Sequence, residues 1–231
     1  MIITAAVCPC PPVLAEELTG PDPVITRLRA ACAQAVQRLV RARPELVAVV
    51  GPARQTRTWD PGSRLDLSVF APALGRAGDP ALPPSLGLGA LLLDQAGYHG
   101  RGRRILQAVA EDEPPAACAD LGAALSRSAG RAGLLVMGDG SARRSPRAPG
   151  HLDLRAAAFD AEAERAFRAA DFEALLDISP NLARELMATG RPGWQVMAGA
   201  LRQAEVTADI LYSDDPFGVA YLVACLETRA A

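Results

Sequence analysis

The chain has 231 residues, 50% of them hydrophobic and 22% charged, proportions of a soluble globular protein rather than a disordered one. A formal net charge of −2 excludes a general electrostatic binder of nucleic acid or of anionic membrane. All 24 basic residues are arginine, so a Schiff-base lysine, a Walker lysine and a lysine general base are excluded.

Histidine is nearly absent, with only His99 and His151, which leaves little for general-base or metal-ligand work. The cysteines are Cys8, Cys10, Cys32, Cys118 and Cys225. Their number is odd and no second C-x-x-C completes a zinc site. Buried thiols in a reducing cytoplasm are expected. The N-terminus lacks a basic n-region, and no window reaches the roughly 20 apolar residues that span a bilayer.

Ile2 to Val7 is an apolar run that breaks into Cys8-Pro9-Cys10-Pro11-Pro12. It reads as a buried first strand stopped by prolines, which cannot continue a ladder. Val24 to Arg43 is helical, with Ile25, Leu28, Cys32, Val36 and Leu39 on one face. Leu46 to Val50 is a continuous apolar run, expected as a strand covered on both faces and ending at Gly51-Pro52. Strand, helix and strand make one parallel βαβ unit.

Leu65 to Phe70 alternates like a half-exposed strand, and residues 71 to 84 form a Pro- and Gly-rich loop. Ser85 to Ala96 is a helix, Arg104 to Ala110 a strand and Pro114 to Ser128 an alanine-rich helix. Gly133 to Met137 is a third strongly apolar strand, running into the loop Gly138 to Ser145. Leu154 to Ala170 is a charged amphipathic helix, which Phe172 to Leu176 continues; shorter helices cover Pro180 to Ala188 and Pro192 to Arg202. Val206 to Tyr212 and Val219 to Leu226 are strands joined by the turn Ser213 to Gly218, a hairpin at one end of a sheet. No repeat, low-complexity tract or linker divides the chain, so residues 1–231 form one α/β domain, a mixed central sheet flanked by helices. Loops after the strands at Ile2, Leu46 and Leu134 converge on one edge, where open α/β sheets bind ligands.

Few residues in these loops carry chemistry. Cys8 and Cys10 face one side of an extended chain, as a soft-metal or reactive-thiol pair or as two buried thiols. Arg143, Arg144 and Arg147 hold an anion or solvate a loop. His151 and Asp153 share an orientation in extended backbone, yet one pair does not make a metal site. Asp214-Asp215-Pro216 is explained as well by turn chemistry as by a cation. Trp59 and Trp194 are core or pocket wall. Ser141 has no histidine placed by sequence to activate it.

Four segments resemble one known family. They are Ala6-Val-Cys-Pro-Cys-Pro-Pro-Val-Leu14, Val49-Val-Gly-Pro52, Met137-Gly-Asp-Gly-Ser-Ala142 with Ala148-Pro-Gly-His-Leu-Asp153, and Trp194-Gln-Val-Met-Ala-Gly-Ala-Leu201. In this order they are similar to the class III extradiol ring-cleavage dioxygenase superfamily, the LigB-like fold that includes Memo-like proteins. The resemblance implies a ferrous ion held by two histidines and a glutamate, with a further histidine as acid/base. Here the first metal slot matches Cys10 and the second falls near Ala53 or Arg54. The acid/base slot matches Ala142, and the glutamate region is Thr189-Gly-Arg-Pro192, without a carboxylate. Alanine ligates nothing and arginine repels a cation.

The expectation is a LigB-like pseudoenzyme with no cofactor, acting as a small-molecule-binding module or partner subunit, in a homo-oligomer or mixed assembly. Its pocket would contain Cys10, Pro12, Arg54, Asp139, Ser141, Ala142 and Arg143, and an arginine in a ligand slot implies a small anionic ligand. The competing expectation is an enzyme with a rebuilt site. In it, Cys10 ligates a metal with His151 and Asp139 or Asp153, or serves as a thiolate nucleophile. A vestigial pocket in a structural subunit is the third.

Overall fold

The computed structural model describes residues 1–19, 22–63, 65, 82–98 and 103–229. The strand expected over 65–70, apart from Leu65, most of the loop expected over 71–84, and His99 lie outside the described residues.

Among the described residues the chain alternates strands and helices in the order β1 (Ile2–Cys8), α1 (Pro23–Arg41), β2 (Leu46–Ala53), β3 (Arg57–Trp59), α2 (Pro84–Gln95), β4 (Arg103–Ala110), α3 (Pro115–Ser126), β5 (Ala132–Met137), α4 (Arg155–Ala169), α5 (Phe172–Leu176), α6 (Pro180–Glu185), α7 (Arg191–Leu201), β6 (Val206–Asp214) and β7 (Tyr221–Thr228). The strands form one mixed sheet, ordered β3-β4-β2-β5-β1-β7-β6. β4, β2, β5 and β1 run parallel, and β3 and β7 pair antiparallel at either side of them. β6 and β7 form the expected edge hairpin.

β1 and β2 are parallel but not adjacent: β5 lies between them and pairs with both. The apolar runs in these strands reflect burial on both faces. Ala5, Val7, Ala48, Val50, Leu134 and Val136 pack towards α3 to α7. Their neighbours Ala6, Cys8, Val47, Val49, Leu135 and Met137 pack towards α1 and α2, as the period of two in a strand demands.

β2 passes the expected stop at Gly51-Pro52 and continues to Ala53, with Pro52 opposite Val109. On its other side pairing with β5 ends at Val50, so the ladder there asks nothing of the missing proline N–H. β3 is only three residues long, too short for a periodic signal, and sits on the β4 edge.

α1 begins where Asp22 accepts from the N–H groups of Val24 and Ile25, with Pro23 in its first turn. α7 is buried almost all round, with Trp194 edge-on to Phe167 at 5.5 Å. α3 approaches α7 so closely that a Cβ on Gly122 would lie 1.9 Å from the Val196 carbonyl oxygen.

Candidate functional site

The carboxyl ends of the parallel strands open on one cleft. Across the sheet its floor is built from Glu111 after β4, Arg54 after β2, Asp139 after β5, Cys10 to Pro12 after β1, and Tyr221 at the start of β7. The cleft comprises depressions of ≈ 810 Å³ and ≈ 670 Å³ that share Ala53, Arg54, Glu111, Asp139 and Thr189. The first is closed by α6 and the segment to Thr189, with Asn181, Arg184 and Met187 in its wall. The second runs beneath Trp59, Pro83 and Pro84. The Arg57 guanidinium stacks over Trp59 at 3.8 Å.

Asp139 is the most constrained polar group in the cleft. Gly138 lets β5 leave the sheet against the start of α7, where a Cβ would lie 2.4 Å from Gly190 Cα. The Asp139 N–H donates to Thr189 Oγ1 at 3.2 Å, and its carbonyl accepts from Gly190 N at 2.8 Å. Its Oδ1 accepts from the Cys10 N–H at 2.8 Å. The second carboxylate oxygen has no partner among the described residues. Burial raises the carboxyl to about 6, opposed by the Cys10 N–H.

Cys10 lines the second depression. Burial pushes its thiol well above the ordinary cysteine range, and the nearby Asp139 and Glu111 carboxylates push further. Such a thiol is protonated at neutral pH, which argues against a thiolate nucleophile. Burial and then Asp139 and Cys10 likewise raise the Tyr221 hydroxyl.

Pro12, Arg54, Asp139 and Ala142 stand in the cleft wall. Ser141 does not. Its hydroxyl donates to Asp160 Oδ2 at 2.5 Å and its N–H to Asp160 Oδ1 at 2.8 Å, which turns it from the cleft into the contact with α4. Arg143 is also drawn away, donating from Nη1 to the Gly150 carbonyl at 2.5 Å. The Arg144 guanidinium lies 2.6 Å from Asp215 and 3.8 Å from Asp160, so the Asp214-Asp215 turn is an anchor of this loop.

The expected set of Cys10, His151 and Asp153 is not assembled. His151 is exposed with φ 57°. Asp153 is bound by Arg155 through Nε at 3.0 Å and Nη2 at 2.7 Å, which holds its carboxyl down to about 2. Trp194 belongs to the core.

Glu111, Arg184 and Tyr221 were not singled out by sequence, and Thr189 entered only as part of the slot without a carboxylate. Glu111 had a signal: it follows a strand whose end obeys the same rule as the other three. Tyr221 is hidden in a run of apolar residues. Arg191 gave no signal either. It is fully buried, donating to the carbonyls of Glu111 and Glu113 and, at 2.8 Å, to Gln195 Oε1. It thereby fixes the β4–α3 loop that carries Glu111.

No family model matches the chain, and no curated protein matches it. Solved structures do. The crystal structure of JW3007 from Escherichia coli K12, described as an uncharacterized protein, aligns over 97% of this chain and 99% of that one, with a TM-score of 0.56 and 14% sequence identity. The two chains share a fold. At this identity the likeness extends no further.

The donors in the cleft do not fit the ferrous centre that the sequence resemblance implies. Its slots offer a single thiol, an alanine or arginine, and a stretch at the start of α7 with no carboxylate. Among the described residues no group of three or more His, Cys, Asp or Glu side chains is arranged to hold a metal. A guanidinium in the floor adds repulsion. The arrangement suits recognition of a small polar molecule: a concave site, apolar walls and a few convergent charges.

Proposed function

We propose that this chain is a LigB-like extradiol dioxygenase homologue without standard ferrous ring cleavage, and that it uses the strand-end cleft to bind a small anionic molecule, as a binding module or partner subunit. The observation that carries this reading is Arg54. It stands in the cleft floor with no hydrogen bond or ion pair among the described residues, where a planar guanidinium can clamp a carboxylate or phosphate. The four sequence segments that resemble the family support the rest, since three of them end at this cleft.

The test combines elemental analysis with a thermal-shift panel of phosphate, citrate and glutarate. Anions of the panel should raise the melting temperature of the wild type and leave Arg54→Ala unmoved. Stoichiometric iron together with oxygen uptake on a catechol would overturn the reading.

A further inference from the structure

Arg54 does not stand alone in the floor. It leaves β2 and Asp139 leaves β5, neighbouring strands that pair as far as Val50 and Val136. Among the described residues the guanidinium has no partner, and one oxygen of Asp139 is left without a donor by the Cys10 contact. Both side chains line both depressions. A bare anion held by Arg54 shares the depression with the Asp139 carboxylate and has no donor to bridge to it, so the like charges repel. A ligand that also carries an O–H or N–H donor supplies the bridge.

Resting on the anion-binding reading, the geometry points to a two-point filter in which Arg54 holds the ligand's carboxylate and the free oxygen of Asp139 accepts from a donor on the adjoining carbon. The ligand class is therefore a 2-hydroxy or 2-amino acid. Its side chain lies along the apolar wall, against Pro12 and Val219 or beneath Trp59 and Pro83. Asp139 is the specificity-determining residue, because it penalises acids that lack the donor.

Three matched probes test this by calorimetry at pH 8: 4-methylpentanoate, 2-hydroxy-4-methylpentanoate and leucine. The hydroxy acid and the amino acid should bind at least tenfold tighter than the plain acid. Arg54→Ala should weaken all three, and Asp139→Ala should bring them within about twofold of one another. Asp139→Asn keeps an acceptor for the Cys10 N–H and guards against a folding defect. It should retain the preference for the hydroxy acid and lose that for the amine. Equal binding of the three probes by the wild type overturns the filter and leaves the anion-binding reading intact. Binding of phosphate or glutarate with none of the three does the same. Failure of every anion, panel included, removes the underlying reading instead.

Discussion

Cys10 and Asp139 are joined across two strand ends: the Cys10 N–H donates to Asp139 Oδ1 at 2.8 Å. The bond ties the proline-rich loop after β1 to the loop after β5. It also orients one of the two carboxylates, with Glu111, that line both depressions. Each partner affects the other's titration. The N–H lowers the Asp139 pKa against burial, and the Asp139 charge raises that of the Cys10 thiol.

Asp139 makes stability depend on pH with a definite sign. Its carboxyl is raised to about 6 in the folded chain, above the value near 3.9 expected when unfolded. Between these values the folded state binds more protons, so this group's contribution falls as pH rises and is a constant penalty above them. The shift sets a ceiling of roughly 3 kcal/mol, reduced where solvent reaches the carboxylate. Asp139→Asn should therefore be more stable than wild type at pH 8, by about 1–2 kcal/mol, and should match it near pH 4. Urea unfolding of both proteins across this range gives the difference. A difference independent of pH would contradict the assignment.

Cys10 should be a slow nucleophile. With its thiol protonated at pH 7.5, alkylation by iodoacetamide should run at least about tenfold slower than for free cysteine. Peptide mass spectrometry over a time course reads this directly. Rapid labelling of Cys10 at neutral pH would reinstate the thiolate chemistry that burial argues against.

Ser141→Ala should cost stability without touching the cleft. The substitution leaves Asp160, a carboxyl already raised by burial, with the Ser141 N–H but without the hydroxyl. A loss of about 1–3 kcal/mol is expected, measured by denaturant midpoint. Binding of any cleft ligand should be unchanged when measured well below the unfolding transition.

Arg191→Met should be more damaging. It strips donors from two backbone carbonyls, at Glu111 and Glu113, and from Gln195. Relief of a desolvated guanidinium, whose pKa burial lowers, offsets part of the loss. The net should be about 2–4 kcal/mol. Because the same bonds place Glu111 at the cleft, ligand affinity should change as well, which separates this variant from Ser141→Ala.

Much of the architecture was legible because its signals are local. Leu46 to Val50 and Leu134 to Met137 have no polar residue to place in solvent, so they had to be strands covered on both faces. The face of α1 follows from the spacing of Ile25, Leu28, Cys32, Val36 and Leu39, all of which are buried. The proline cluster after Cys8 had to end β1. These features depend on neighbours within a few residues, and a chain carries that information in its order.

What only the tertiary structure decided depends on partners far apart in sequence. The insertion of β5 between β1 and β2 is a choice of strand pairing that no local pattern encodes. Ser141 and Asp139 are two residues apart in one loop, yet one turns to Asp160 of α4 and the other to the cleft. Arg155 claims Asp153 and Gly150 claims Arg143, removing both from the set expected around Cys10. The sequence by itself determined an α/β sheet whose parallel strands end in loops along one edge, in a chain with two histidines. Which side chains face into the cleft, and that Arg54 and Asp139 keep unused hydrogen-bonding capacity among the described residues, was decided by competition among distant polar groups, because each buried donor or acceptor must find its partner across the fold.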